Sequence, residues 1–187
     1  MDLLPLIPSD LEGLPSDCLI LGTRCRQQQL QAQLNVWGHH DASFDLLLLL
    51  AATRTAEREG ISAAGATAAS RRLTALADAD LLLNGPAQPR RWPLPPLPAG
   101  VSPALLSHVA LKRLPMHPRV AALGLVHQAT FPHLQLEGPD AGPARCVSTG
   151  QAMELERVTN LWRQGMRLGA QLSRPLLLAE CVPGGTT

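Results

Sequence analysis

Aromatic and charged residues are scarce in this sequence. Phe and Trp together make up 3% of the 187 residues, tyrosine is absent, and charged residues make up 17%. Leu and Ala must therefore supply most of a hydrophobic core. The formal net charge is only +1, and the arginines are scattered along the chain. A nucleic acid is therefore not the expected partner, since proteins that bind one carry a basic patch.

The sequence also lacks a hydrophobic run long enough to cross a membrane. The longest run, Leu46 to Ala52, is far shorter than the roughly 20 residues that a spanning helix needs. Residues 1–10 contain Asp2 and two prolines but no basic segment, which does not match a secretory signal. We therefore expect a soluble, cytoplasmic protein without a membrane partner.

Paired cysteines and metal-ligand motifs are missing as well. Because the cysteines form no CxxC pair, we expect reduced thiols rather than a disulfide or a metal site. The six histidines form no tight motif, and no GxSxG sequence indicates a nucleophilic serine. No metal site is predicted. The four cysteines are Cys18, Cys25, Cys146 and Cys181.

Continuous apolar runs predict strands that are buried on both faces. The clearest runs are Cys18 to Leu21, Phe44 to Ala51 and Leu176 to Ala179. Two weaker ones are Asp80 to Leu83 and Val120 to Val126. Runs without polar alternation are typical of a parallel sheet.

Helical patterns lie between these runs. Ala63 to Ala77 is rich in alanine and places Arg71 and Arg72 on its polar side, and Met153 to Leu172 repeats apolar residues along one stripe. Alternating strands and helices predict an α/β domain with a mainly parallel sheet and helices on both faces. The stripe consists of Met153, Val158, Leu161, Trp162, Met166, Leu168 and Leu172.

Residues 84–103 are predicted to be an irregular connection inside a single domain that spans residues 1–187. Seven prolines in this stretch exclude regular hydrogen-bonded structure. We interpret it as a stiff surface connection rather than as a polyproline ligand. Residues 138–150 form a second irregular stretch that leads into the long helix.

The strongest local signal is the loop that follows Leu176 to Ala179. Such a loop lies at the carboxyl end of a strand, where open α/β sheets bind ligands. Its two glycines let backbone N–H groups approach a phosphate, and its two threonines add hydroxyl donors. It is neither a P-loop nor GxGxxG, and a plain Gly-Gly turn is the alternative. The loop residues are Glu180, Cys181, Val182, Pro183, Gly184, Gly185, Thr186 and Thr187.

A second segment of small residues, Gly60 to Ala66, lies between a predicted strand and a predicted helix. We interpret Ser62 as the residue that caps the helix, and Gly65 as part of a tight passage. In the alternative interpretation, Ser62 and Gly65 belong to a second loop that faces the ligand.

Three segments, in order, carry a resemblance to a known family. Phe44 to Thr53 followed by Gly60 to Ala66 is similar to a strand and a GISAAGA segment of that family, and Ala79-Asp80 with Gly85 continues the similarity. Glu180 to Thr187 resembles its E-S/C-x-P-G-G-T-T motif. The family is that of the nicotinate-nucleotide–dimethylbenzimidazole phosphoribosyltransferases of cobalamin synthesis, in its cyanobacterial and archaeal branch.

The bacterial branch of that family differs in the last segment. There the stretch reads E-M-G-I-G-N-T-T. Glu180, Gly184 and the two threonines match it, whereas Val182 and Gly185 replace Gly and Asn. These departures concern the choice of base and nucleotide.

The resemblance implies transfer of 5-phosphoribose from nicotinate mononucleotide to a benzimidazole-type base, with release of nicotinate. It also implies a Rossmann-like fold, a homodimer at full length, and no metal or organic cofactor. Glu180 would contact the ribose or stabilise positive charge in the transition state. The general base would come from the carboxyl-terminal half of the family's chain. We therefore expect an amino-terminal fragment that is inactive alone.

Two other functions are consistent with the residues. One is a non-catalytic relative that keeps a nucleotide pocket, and the other is an unrelated α/β nucleotide-binding enzyme, which the missing fingerprints disfavour. A piece of a doubly wound sheet also leaves strand edges and helix faces uncovered. We therefore expect the 187-residue chain to aggregate or to stay partly unfolded when it is expressed alone.

Overall fold

The structure is a computed structural model that describes residues 23–38, 44–94, 102–114, 116–138 and 140–185. The chain forms two units, residues 1–43 and residues 44–187. In the first unit the structure describes one helix, α1 (Arg24–Gly38), which the sequence analysis missed. The predicted strand Cys18 to Leu21, together with Cys18 itself, lies outside the described residues.

The second unit is built on a four-stranded sheet in which every pair of neighbours is parallel. The strand order is β3-β2-β1-β4, so β1 lies in the middle and β4 lies at one edge. The prediction of an α/β fold with a parallel sheet is confirmed. The strands are β1 (Asp45–Ala51), β2 (Pro118–Leu123), β3 (Leu134–Gln135) and β4 (Leu176–Cys181).

Four α-helices and two 3-10 helices connect the described strands of this unit. No helix among the described residues is long and apolar enough to cross a membrane. The α-helices are α2 (Ala68–Arg71), α3 (Thr74–Asn84), α4 (Pro103–Leu111) and α5 (Leu155–Ala170), and the 3-10 helices are Arg54–Glu57 and Val147–Thr149.

The main core lies between the sheet and α3. Leu48 and Leu50 of β1 and Val120 of β2 pack with Leu76 and Ala79 of α3. Side chains alternate along a strand, so the neighbouring leucines of β1 point to the opposite face. There, Leu47 and Leu49 share a groove of about 450 Å³ with Leu161 and Leu168 of α5.

The structure corrects the prediction of a strand at Asp80 to Leu83. These residues belong to α3, in which Ala75, Leu76, Ala79 and Leu82 are buried at a helical spacing. A short apolar run looks the same in a buried strand and a buried helix, so the run alone misled. The helix ends at Gly85. Its φ of 77° lies in a region that residues with a side chain rarely adopt.

The predicted helix Ala63 to Ala77 is also wrong at its start. Residues 63–67 are irregular, and α2 begins after Thr67, whose hydroxyl accepts a hydrogen bond from the Ser70 N–H at 3.1 Å. The Ser70 hydroxyl accepts one from the Thr67 N–H in return, which completes a capping box. Ser62 is therefore not the capping residue.

The predicted irregular connection, residues 84–103, begins and ends within helices, and its residues 95–101 lie outside the described residues. Ser102 caps α4 by accepting a hydrogen bond from the Ala104 N–H at 3.1 Å, and Pro103 occupies the first turn. Proline is well tolerated there because the first N–H groups of a helix have no partner within it. Pro103 therefore begins a helix rather than breaking one, and α4 was not predicted from the sequence.

Candidate functional site

The carboxyl ends of β1 and β4 lie side by side, and a threonine joins the loops that leave them. The Thr53 hydroxyl donates a hydrogen bond to the Pro183 carbonyl oxygen at 2.8 Å. The same hydroxyl oxygen accepts one from the Ala56 N–H at 3.2 Å, which begins the 3-10 helix. One side chain therefore fixes the loop after β4 against the loop after β1.

The loop after β4 is a tight turn. The Gly185 N–H donates to the Val182 carbonyl oxygen at 2.8 Å, with Pro183 and Gly184 between them. Gly184 has a φ of 74°, and Pro followed by Gly is the sequence of a type II turn. A Cβ on Gly184 would lie 2.6 Å from the backbone nitrogen of Ala56, so glycine is required here for packing as well.

This geometry bears on the predicted phosphate loop. The N–H of Gly185 is used within the turn, so it does not point freely at a ligand in this conformation. The two threonines, Thr186 and Thr187, lie outside the described residues. Their role and that of the glycines in phosphate binding stay predictions.

Glu180 and Cys181 lie on opposite faces of the sheet. In the register, Glu180 pairs with Leu49 and Cys181 pairs with Leu50, and neighbouring side chains on a strand alternate between faces. Glu180 is exposed, whereas Cys181 packs against the core beside α3. The structure therefore groups Cys181, and not Glu180, with the pocket described next.

The Gly60 to Ala66 segment is held in place by a buried arginine. Arg71 bonds three carbonyl oxygens, those of Ala56, of Gly65 at 2.9 Å and of Glu57 at 3.2 Å. The prediction that Arg71 lies on a polar face is wrong, because these carbonyl groups satisfy the guanidinium in the interior. Arg71 thereby joins the segment to the 3-10 helix after β1.

The two segments selected from the sequence meet at one pocket of about 510 Å³. Ala63 and Ala64 come from the first segment, and Cys181, Val182 and Pro183 come from the loop after β4. The remaining walls come from α3, from the start of α4 and from the connection between them. They are formed by Thr74, Asp78, Leu81, Arg90, Leu94, Ser102, Pro103 and Leu105.

Asp78 is the polar centre of this pocket, and the sequence analysis did not identify it. Its carboxylate accepts a hydrogen bond from the Ser102 hydroxyl at 2.6 Å and a weak one from the Cys181 thiol at 3.6 Å. Burial, and then the Asp78 carboxylate, raise the pKa of Cys181 to about 12. Cys181 is therefore a protonated donor at neutral pH. Asp78 is one of two aspartates in α3, and nothing in the sequence distinguishes it from Asp80.

Two of the described histidines, His108 and His127, contact residues far from them in the sequence. His108 is buried and lies with Nδ1 2.8 Å from the Leu82 carbonyl oxygen, near the end of α3. His127 stacks on Trp92 with 5.4 Å between ring centroids. Within the described ranges, no three His, Cys, Asp or Glu side chains are grouped as a metal site would need.

Comparison with known proteins finds relatives among cyanobacteria. No family model matches the chain. The chain is 80% identical over 185 residues to a UPF0284 protein of Parasynechococcus marenigrum (strain WH8102), and 55% identical over 190 residues to one of Prochlorococcus marinus (strain MIT 9313). A UPF0284 protein of Cyanothece sp. (strain PCC 7425 / ATCC 29141) is 43% identical over 171 residues.

These alignments cover nearly all of the chain but less than half of each relative. They span 99%, 98% and 90% of the chain, and 47%, 47% and 45% of the three relatives. The chain thus spans about half the length of the curated relatives it matches. Its homologues are UPF0284 proteins, a name that states no activity.

Proposed function

We propose that this chain forms part of a phosphoribosyltransferase that moves 5-phosphoribose from nicotinate mononucleotide to a benzimidazole-type base. One observation carries the proposal. The Gly60 to Ala66 segment and the loop after β4, which bear the family resemblance, line a common pocket at the carboxyl ends of β1 and β4. Open α/β sheets bind their ligands at such an edge.

The pocket suits the base more than the phosphate. Its volume of about 510 Å³ lies within the usual range of ligand sites, roughly 300–1,000 Å³, and alanine, leucine and proline form most of its wall. A planar aromatic ring buries well against such a surface. In the proposal, the turn Val182–Gly185 and the residues after it hold the ribose phosphate.

The transfer itself places two demands on the protein. Displacement at the anomeric carbon develops positive charge on the ribose, which a nearby carboxylate stabilises. The attacking azole must also lose its N–H proton to a base. The resemblance gives the first role to Glu180, although its side chain lies on the face of the sheet opposite Cys181 and the pocket. The second, by resemblance, belongs to a glutamate in the other half of the family's chain, so the activity is proposed for a protein of the relatives' length.

The test is release of nicotinate from nicotinate mononucleotide, with and without 5,6-dimethylbenzimidazole, by the protein as its gene encodes it. We expect release that depends on the base. Ala64→Leu fills the pocket and should reduce that release roughly tenfold, since poor fit in an apolar pocket costs about 1–3 kcal/mol. Ala66→Leu, at an exposed position outside the pocket, should leave it unchanged.

Two outcomes would argue against transfer. Binding of the mononucleotide without any base-dependent release would favour the alternative, a non-catalytic nucleotide-binding relative. An Ala66→Leu variant that loses as much activity as Ala64→Leu would separate the activity from this pocket.

A further inference from the structure

The turn Val182–Gly185 has a sequence that allows two orientations of its central peptide group. Pro183 fixes φ at about −65°, which suits the second position of both type I and type II turns. Gly184 has no Cβ, so it adopts the negative φ of a type I turn and the positive φ of a type II turn at little cost. The peptide group between these two residues is flipped in one turn relative to the other.

In the structure, Thr53 selects the type II orientation. Gly184 has a φ of 74°, and the Pro183 carbonyl oxygen lies 2.8 Å from the Thr53 hydroxyl, which donates to it. The hydroxyl proton is committed to this bond, because the Ala56 N–H already donates to the same hydroxyl oxygen at 3.2 Å. A flipped peptide group would lose this bond, since a carbonyl oxygen can accept the proton and an N–H cannot.

The backbone on both sides of Thr53 is itself held in place. The Arg54 N–H donates to the Ala144 carbonyl oxygen at 2.8 Å, and the Ala144 N–H donates to the Ala52 carbonyl oxygen at 3.1 Å. These two bonds form an isolated parallel bridge between Thr53 and Ala144. The hydroxyl that orients the turn therefore projects from a fixed backbone.

The orientation of the peptide group determines where the Gly184 N–H points. The C=O and N–H of a trans peptide point in opposite directions. Because the Pro183 oxygen faces Thr53, the Gly184 N–H faces away from that side chain. It donates to no residue that the structure describes, whereas the Gly185 N–H is used within the turn. Gly184 is half-buried, so its N–H remains for a ligand.

We propose that Thr53 is a positioning residue, whose hydroxyl holds the turn so that the Gly184 N–H donates to the phosphate of a bound nucleotide. This inference rests on the proposed function and names the donor and the side chain that orients it. A charged phosphate oxygen accepts a stronger hydrogen bond than a neutral acceptor does. Loss of the hydroxyl lowers the population of the competent orientation, and the apparent affinity for the phosphate falls with it.

The test measures what the phosphate contributes to binding. Nicotinate mononucleotide and nicotinate riboside, which lacks the phosphate, are titrated calorimetrically into the protein as its gene encodes it. Thr53→Val removes the hydroxyl and keeps the shape of the side chain. We expect it to reduce the ratio of mononucleotide to riboside affinity at least about tenfold, which corresponds to one hydrogen bond to a charged group. The riboside affinity should stay unchanged.

Two controls separate this role from general support of the loop. Thr53→Ser keeps the hydroxyl and should keep the ratio of the unaltered protein. Thr55→Val removes a buried hydroxyl two residues away, which accepts a hydrogen bond from the Val147 N–H at 2.9 Å and does not bond the turn. This variant should keep the ratio as well.

A second measurement needs no substitution and therefore holds even if Thr53→Val does not fold. In NMR spectra of the unaltered protein, the Gly184 amide proton should shift downfield when the mononucleotide is added, but not when the riboside is added. The Gly185 amide proton should shift less, because the turn already uses it.

Three results would overturn the inference. They are a ratio that Thr53→Val leaves unchanged, a Thr53→Ser variant that loses as much of the ratio as Thr53→Val, and a Gly184 amide proton that responds equally to both ligands. The first would indicate a purely structural role for Thr53. A ratio that depends on the Thr53 hydroxyl, without any release of nicotinate, would instead refute the transfer and leave the role of Thr53 standing.

Discussion

The two faces of the sheet are covered to very different degrees. On the face packed by α3, Leu50 and Leu76 are 0% exposed and Val120 is 2% exposed. On the other face, α5 covers the sheet without burying a single one of its own residues, and Trp162 is 72% exposed. At the edge of the sheet, Leu178 of β4 is 63% exposed.

This difference shows what an amphipathic pattern does and does not predict. The apolar stripe of α5 has two parts, because Leu161 and Leu168 face the sheet while Val158, Trp162 and Met166 are exposed. A helix with a narrow sheet contact needs only a narrow stripe. The apolar stripe of α5 is wider than its contact with the sheet. Its exposed part therefore indicates a further covering surface, which the described residues do not provide.

Truncating a leucine on the covered face should have the largest effect. Leu76→Ala removes a fully buried side chain and should lower the free energy of unfolding by about 2–5 kcal/mol. Trp162→Ala should change it by less than about 0.5 kcal/mol, as is usual for exposed sites. Urea unfolding of the protein as its gene encodes it measures both. A large loss of unfolding free energy in the Trp162→Ala variant would show that the exposed side of α5 packs against other residues.

A second pair of variants compares neighbouring arginines. Arg71→Met leaves three carbonyl groups, two of them buried, without their donor and should cost about 3 kcal/mol. Arg72→Met removes only a pair with Glu57 at 2.9 Å on the surface, where water screens it, and should cost far less. Equal losses in urea unfolding would contradict the assignment of Arg71 to the interior.

Thiol alkylation should distinguish the more accessible Cys146 from Cys181, which packs against the core. Hydrogen bonds, first from Ser148, lower the pKa of Cys146 to about 7, whereas the pKa of Cys181 is raised to about 12. The thiolate is the reactive form, so iodoacetamide at pH 7 should modify Cys146 roughly a hundredfold faster. Peptide mass spectrometry reads both sites. Ser148→Ala should slow Cys146 and leave Cys181 unchanged.

The smallest expected effect concerns association of the 187-residue chain. Replacing exposed apolar residues of α5 in the double variant Trp162→Glu, Met166→Glu should raise the monomer concentration several-fold. The control is Arg163→Glu, Arg167→Glu on the polar side of the same helix. Light scattering measures both. A soluble monomeric chain that unfolds cooperatively without any substitution would contradict the expected aggregation.

Much of the fold was predictable because the parallel strands are continuous apolar runs. Phe44 to Ala51, Val120 to Val126 and Leu176 to Ala179 each overlap an observed strand, and the long helix is observed as α5. The two-residue strand β3 has no such run, and it pairs with β2 through only two residues. A strand of that length is defined by its neighbour and not by its own sequence.

The site was predictable in its segments but not in its side chains. Two runs of small residues indicated the loops that line the pocket together, since tight turns leave glycines such as Gly184 in the sequence. The faces of the sheet on which Glu180 and Cys181 lie depend on the register of β4. A shift of that register by one residue would exchange the two faces. Asp78 was missed because its partners, Ser102 and Cys181, are distant in sequence and meet it only in the folded chain.

The central position of β1 has a consequence for synthesis on the ribosome. The strand is made early, yet the contact that closes its carboxyl end joins Thr53 to Pro183, 130 residues later. At about 5–20 residues per second, that interval lasts on the order of ten seconds. During this interval, the five consecutive leucines of β1 lack their pairing with β4. We therefore expect chaperones to have ample time to bind the nascent chain.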